Sequence, residues 1–230
     1  MFNNIGLVAH AKKALAENWK YVYGTIGQVL TASIISQKQL QYPDQINKHL
    51  SLIRTFIGKR TVDCVNLIKS YLWWDNKKQD VVYDIKYDKV DGVWMSADGA
   101  FQGAKEKGPI NTMPDIPGIC VRYQGHIGVY IGNGEVIEAR GTKYGVVKTN
   151  LKERGWTHWL KYPGIEYKED DSMPETKVPQ WKKDCADYLL KQGYLNSPHD
   201  PLEIIDIGTL GAILKNRDDK LRDILKNIKI

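Results

Sequence analysis

Apolar positions recur along this chain with two different periods. Over residues 61–72, Val65, Ile68, Tyr71 and Leu72 return at three- and four-residue spacing, which predicts a helix with one buried face. Ile5, Val8, Ala11 and Leu15 predict an amphipathic helix within residues 1–20. Residues 30–40 predict a second helix ending before Tyr42-Pro43, and residues 44–57 a third that stops at Gly58. After Gly118 the period becomes two. Residues 119–123, 126–131, 135–139 and 145–149 read as strands, and 156–160 as a fifth that closes the sheet. Between the two patterns, residues 75–118 read as loop with short pieces of structure and turn signals at Gly108-Pro109 and 114–118. Helices first and an antiparallel sheet second make an α+β arrangement.

The patterning also predicts a boundary. Residues 166–177 are acidic, contain a proline and carry little apolar content, so they read as a linker after a domain over 1–165. Residues 178–230 then predict a small helical module near the size limit for independent folding.

Charge sharpens this division. The formal net charge is +6, yet residues 1–165 hold 22 Lys and Arg against 14 Asp and Glu, a balance of +8. A basic first domain suits an anionic partner such as nucleic acid, acidic lipid or a wall polymer. No nucleic-acid reader motif accompanies the basic residues, and no apolar run is long enough to span a bilayer. The first 20 residues lack the continuous apolar core of a signal peptide, which predicts synthesis in the cytoplasm. The three cysteines, Cys64, Cys120 and Cys185, are odd in number and widely spread, which argues against a disulfide framework and against a zinc site. Cys120 and Cys185 read as core residues.

Cys64 is different because of where the helix places it. Thr61 or Asp63 can cap the helix start, and Cys64 then falls in the first turn, where the helix dipole favours a thiolate. A candidate base follows at His126, in what reads as a hairpin. A two-residue Asn133-Gly134 loop would pair Gly132 with Glu135 and turn Glu138 away from His126. A three-residue loop would pair Ile131 with Glu135 and set Glu138 opposite Gly128, one diagonal step from His126 on the same face. The second register makes Glu138 an orienter for the imidazole. It also lays Arg140 across from His126, as a candidate partner for Glu138 or for a substrate carboxylate. Nucleophile, base and acid thus occur in the order that papain-like hydrolases use.

These residues resemble the NlpC family of papain-like cell-wall cysteine peptidases, in the branch found in phage and prophage lysins. Asp63-Cys64-Val65-Asn66-Leu67-Ile68 resembles the family's Asp-Cys-x-Gly-Leu-Ile motif, and Gly125-His126-Ile127-Gly128-Val129-Tyr130-Ile131-Gly132 its histidine motif. Tyr21-Val22-Tyr23-Gly24 resembles the aromatic-Gly element that precedes the cysteine. The resemblance covers most of residues 15–165. It implies a papain-like fold and cleavage of peptidoglycan stem peptides, typically at bonds involving D-glutamate, with neither cofactor nor metal. Cys64, His126 and Glu138 are then the catalytic set, with Tyr23, Asp63 and Arg140 on the substrate side. The implied partners are bacterial peptidoglycan and anionic wall polymers, met after release from the cell or as part of a virion, with no nucleic acid and no membrane insertion. Two residues depart from the family pattern: Asn66 stands where Gly is usual, and Glu138 where His, Asn or Gln is common. The terminal module resembles wall-binding repeats only loosely. An amidase, or a non-catalytic wall-binding or virion protein on the same fold, are the alternative readings.

Overall fold

The computed structural model describes residues 2–90, 92–168, 188–193, 215 and 217–219. The chain divides into two units, Met1–Glu169 and Asp170–Ile230. Cys185 and most of the expected linker and helical module lie outside the described residues. The first unit holds every candidate site residue.

That unit begins with α1 (Asn4–Ala16), capped by the Asn3 side chain, which accepts from the Gly6 N–H at 2.8 Å. Its buried face runs through Leu7, Val8, Ala11 and Ala14, while Ile5 is exposed, so the face is rotated from the expected one. The short strands β1 (Lys20–Tyr21) and β2 (Ile26–Val29) follow, then α2 (Ala32–Gln41). The helix expected over 44–57 is broken into α3 (Pro43–Asn47) and α4 (Leu50–Arg54), which pack with α2 on a small core of Leu30, Ile35, Ile46, Ile53 and Phe56. Next come β3 (Arg60–Val62) and α5 (Cys64–Leu72). The poorly patterned stretch holds two hairpins, β4 (Trp74–Asp75) with β5 (Asp80–Val81) and β6 (Lys89–Val90) with β7 (Val93–Trp94). After them come α6 (Ala97–Gly103) and β8 (Lys107–Pro109).

The remaining strands are β9 (Cys120–Tyr123), β10 (His126–Gly132), β11 (Glu135–Ala139), β12 (Val146–Asn150) and β13 (His158–Leu160). With β8 they form a six-stranded sheet in the order β12-β11-β10-β9-β13-β8, antiparallel throughout. The expected closing strand, β13, is therefore internal. The edge belongs to β8, whose Gly108-Pro109 read as a turn; Pro109, lacking an N–H, suits an edge position. β1 pairs in parallel with β3, which also pairs with β2. The architecture is α+β, as expected.

One face of the large sheet, through Ile127, Val129, Ile131, Ile137 and Ala139, shares its core with Leu67 and Ile68 of α5 and Leu7 of α1. The other face carries Val121, Tyr130, Val136 and Trp156. Residues 166–168, expected to begin the linker, are built into this unit. Glu166 bridges Asn3, the Asn4 side chain bonds both Lys168 N–H and C=O, and the Tyr167 hydroxyl donates to Gly118 C=O. Among the described residues no helix is long and apolar enough to cross a membrane.

Candidate active site

Asp63, not Thr61, caps α5: its carboxylate accepts from Asn66 N–H at 2.8 Å and from Asn66 Nδ2 at 2.9 Å. It also accepts from Gly24 N–H at 3.0 Å, which ties the loop after β1 to the helix start. Burial raises this carboxyl above its ordinary value, and the donated hydrogen bonds pull the other way. Asp63 therefore works as an internal tie. The Asn66 side chain fits beside it, but its Oδ1 is buried without a protein partner.

Cys64 is the first residue of α5, and the backbone N–H groups of Val65, Ile127 and Cys64 itself are directed at its sulfur. Ile127 adjoins His126, so the sulfur lies against the start of β10. The thiolate that the helix dipole favours at this position is opposed by its surroundings. Cys64 is buried, and burial followed by the Asp63 charge pushes the thiol up to about 12. Desolvation outweighs the helix dipole, so thiolate forms only when a base takes the proton.

The hairpin that supplies the base combines both registers considered for it. The loop has two residues, Asn133 and Gly134, both at positive φ, and Gly132 pairs with Glu135. A register shift between Tyr130 and Gly132 then restores the other pairing, Tyr130 with Val136 and Val129 with Ile137. Continued along the strands, that register sets Gly128 opposite Glu138. A Cβ at Gly128 would lie 2.8 Å from Val136 Cγ1 and 3.2 Å from both Glu138 Cβ and Trp156 Cη2, so any side chain there would force its neighbours to move.

Glu138 is fully buried and takes a hydrogen bond from His126 Nε2 to Oε2 at 2.7 Å. The other ring nitrogen, Nδ1, makes no hydrogen bond to a described residue. Four partners of this pair were not foreseen. Arg154 forks onto the carboxylate, Nε to Oε1 at 2.8 Å and Nη2 to Oε2 at 3.0 Å, and Thr149 Oγ1 donates to Oε1 at 2.8 Å. Trp156 stacks on the imidazole with centroids 5.6 Å apart and planes 11° from parallel. Tyr123 packs against both rings. Burial pushes the Glu138 carboxyl up, but the hydrogen bonds from His126, Arg154 and Thr149 prevail and hold it at about 2.

Of the two partners considered for Arg140, Glu138 is not the one it takes. Arg140 is exposed and its guanidinium lies 4.4 Å from the Tyr144 ring centroid, while Arg154 is the cation on the carboxylate. Tyr23 is exposed and meets Tyr42 edge-on at 5.0 Å. Its neighbour Tyr21 is the more buried tyrosine, and burial and then the Cys64 charge raise its hydroxyl well above the ordinary value. Tyr21 was hidden because the motif offers two tyrosines. Arg154 and Thr149 lie in segments with no motif at all. Among the described residues no group of three or more His, Cys, Asp or Glu side chains gathers as a metal ion would need.

No family model matches the sequence, and no curated protein matches it significantly. Some solved structures are similar in part. The NlpC/p60 domain of the peptidoglycan hydrolase SagA is 13% identical over 69% of this chain and 98% of its own, with a TM-score of 0.36. The peptidoglycan hydrolase RipB of Mycobacterium tuberculosis is 16% identical over 72% of this chain and 68% of its own, also at 0.36. NlpC2 of Trichomonas vaginalis is 17% identical over 70% of this chain and 47% of its own, at 0.38. Likenesses of this size leave the chemistry to be read from the side chains themselves.

Proposed function

We propose that this chain is a cysteine peptidase of the NlpC kind that hydrolyses peptidoglycan stem peptides. The observation that carries the reading is the buried His126–Glu138 pair, held through Nε2, beside a cysteine whose sulfur faces three backbone N–H groups. Nδ1 of His126 takes the Cys64 proton as the sulfur attacks the stem-peptide carbonyl. The N–H of Cys64 at the helix start and the Tyr21 hydroxyl are the donors for the developing oxyanion. His126 then returns the proton to the leaving amine, and water releases the acyl group from the sulfur by the same route. The motifs around Cys64 and His126 support peptidoglycan as substrate and the lysin branch as origin. The two-unit division supports a catalytic part followed by a wall-binding module.

Digestion of purified cell walls, read by mass spectrometry of the released muropeptides, tests this. New amino termini inside the stem peptide are expected with the native chain and none with Cys64→Ala. Release of intact stem peptides from the sugar would make the enzyme an amidase. Equal products from Cys64→Ala would remove the cysteine mechanism altogether.

A further inference from the structure

The Glu138 carboxylate has no contact with solvent, and a lone buried carboxylate is costly enough to take up a proton. A protonated Glu138 would donate to His126 Nε2 and drive the ring hydrogen onto Nδ1. A proton shared between carboxylate and imidazole would likewise leave hydrogen on Nδ1. Either state lacks the bare nitrogen that must accept the Cys64 proton. We propose that Arg154 is a positioning residue that keeps Glu138 a permanent acceptor, so that His126 carries its hydrogen on Nε2 and offers Nδ1 to Cys64. The proposal rests on the peptidase reading for the task of Cys64, while the arrangement of Arg154, Glu138 and His126 stands without it.

The geometry supports a dedicated clamp. Oε1 accepts from Arg154 Nε and Thr149, and Oε2 from Arg154 Nη2 and His126, so both oxygens are doubly engaged. The groups facing the carboxylate are His126 from β10, neutral Thr149 from β12 and Arg154 from the loop before β13. A guanidinium does not lose its proton in a protein, so its compensation does not vary with pH. Arg154 is itself held in place. Its Nη2 donates to the Tyr123 hydroxyl of β9 at 3.1 Å, and its Cζ lies 5.8 Å from the ring centroids of both Tyr123 and Trp156.

The test is the alkylation rate of Cys64 by iodoacetamide between pH 6 and pH 9, read from the mass of the peptide carrying Cys64. Full-length wild type, Arg154→Met, Arg154→Lys and the double variant Arg154→Met/Glu138→Gln are compared. Arg154→Met is expected to lose about tenfold in rate at pH 6 and to approach wild type at pH 9, where the carboxylate is ionised without help. Arg154→Lys keeps the charge and is expected to keep the wild-type ratio between the two pH values. In the double variant an amide carbonyl accepts from Nε2 and cannot titrate, so the ratio returns to that of wild type even if the absolute rate is lower. A wild-type ratio in Arg154→Met overturns the proposal, as does a changed ratio that Glu138→Gln fails to restore. Should Arg154→Met not fold, the double variant is required to fold, since it buries no uncompensated charge; a double variant that also fails overturns the proposal. Absence of muropeptide cleavage by wild type would count against the peptidase reading and leave the alkylation comparison intact.

Discussion

The sheet half and the helix half of the candidate site are finished to different degrees. On the sheet, the Glu138 carboxylate has four hydrogen bonds and His126 is packed against Tyr123 and Trp156. On the helix side, Asn66 Oδ1 of α5 and Thr61 Oγ1 of the preceding β3 are buried without protein partners, and burial raises the Cys64 thiol far above its ordinary value. The sheet half also leaves one atom unpartnered, Trp156 Nε1, but not at the carboxylate. The difference separates two tasks. The base must keep one tautomer and one orientation, which calls for a saturated set of partners. The nucleophile needs a low-dielectric seat and donors at its sulfur, and its charge appears only when the base acts.

The largest effect is expected from breaking the sheet half at its centre. Glu138→Ala removes the orienter and strands Arg154, and its rate on wall fragments is expected to fall ten- to a thousand-fold, on the order seen for lost orienters. Glu138→Gln keeps an acceptor and is expected to retain part of the rate. Wild-type turnover in Glu138→Ala would show that Cys64 and His126 suffice as a pair.

Gly128→Ala attacks the same half from its floor. The added methyl meets Val136, Glu138 and Trp156 at 2.8–3.2 Å, so the variant is expected to lose about 1–3 kcal/mol of stability and about tenfold in rate. Chemical denaturation and turnover of the same preparation check both. An unchanged denaturation midpoint would mean that β11 yields easily and that the sheet half is softer than its hydrogen bonds suggest.

Acid is expected to loosen the helix half first. His10 of α1 bonds Ser70 of α5 at 2.8 Å, and burial, aided by Lys13 and Arg60, lowers its pKa to about 3 from 6.5. The folded state therefore favours neutral His10. Its contribution is complete above pH 6.5 and declines as pH falls toward 3, by about 1.4 kcal/mol per unit. Glu138, at about 2 against 4.5, contributes above 4.5 and loses that contribution only below it. Between pH 6.5 and 5, hydrogen exchange is expected to quicken in α5 before β10 and β11, and His10→Gln is expected to flatten the decline. Equal loss of protection in both halves would erase the distinction.

The smallest effect is expected at Asn66. Asn66→Ala removes the unpartnered Oδ1 and one of the donors to Asp63, changes that offset, so stability is expected to move by less than about 1 kcal/mol with activity retained. A loss beyond that in thermal denaturation would show that Asn66 is a working part of the nucleophile's seat.

The sequence by itself determined the α5 helix with Cys64 at its start and the strands from 120 to 150. These follow from local periodicity, capping and turn residues, which act over a few neighbours. It did not determine the order of the sheet, where β8 takes the edge outside β13, because strand pairing joins segments far apart in the chain. Nor did it determine the hairpin register. The Asn133-Gly134 turn and the opposition of Gly128 to Glu138 conflicted until the shift between Tyr130 and Gly132 reconciled them. Only the tertiary structure brought Arg154 to Glu138 across 16 residues and chose Tyr21 over Tyr23 as the tyrosine deeper beside Cys64. It also reversed the expected state of Cys64, because desolvation and the Asp63 charge depend on what is packed around the sulfur, while the helix dipole can be read from the chain alone.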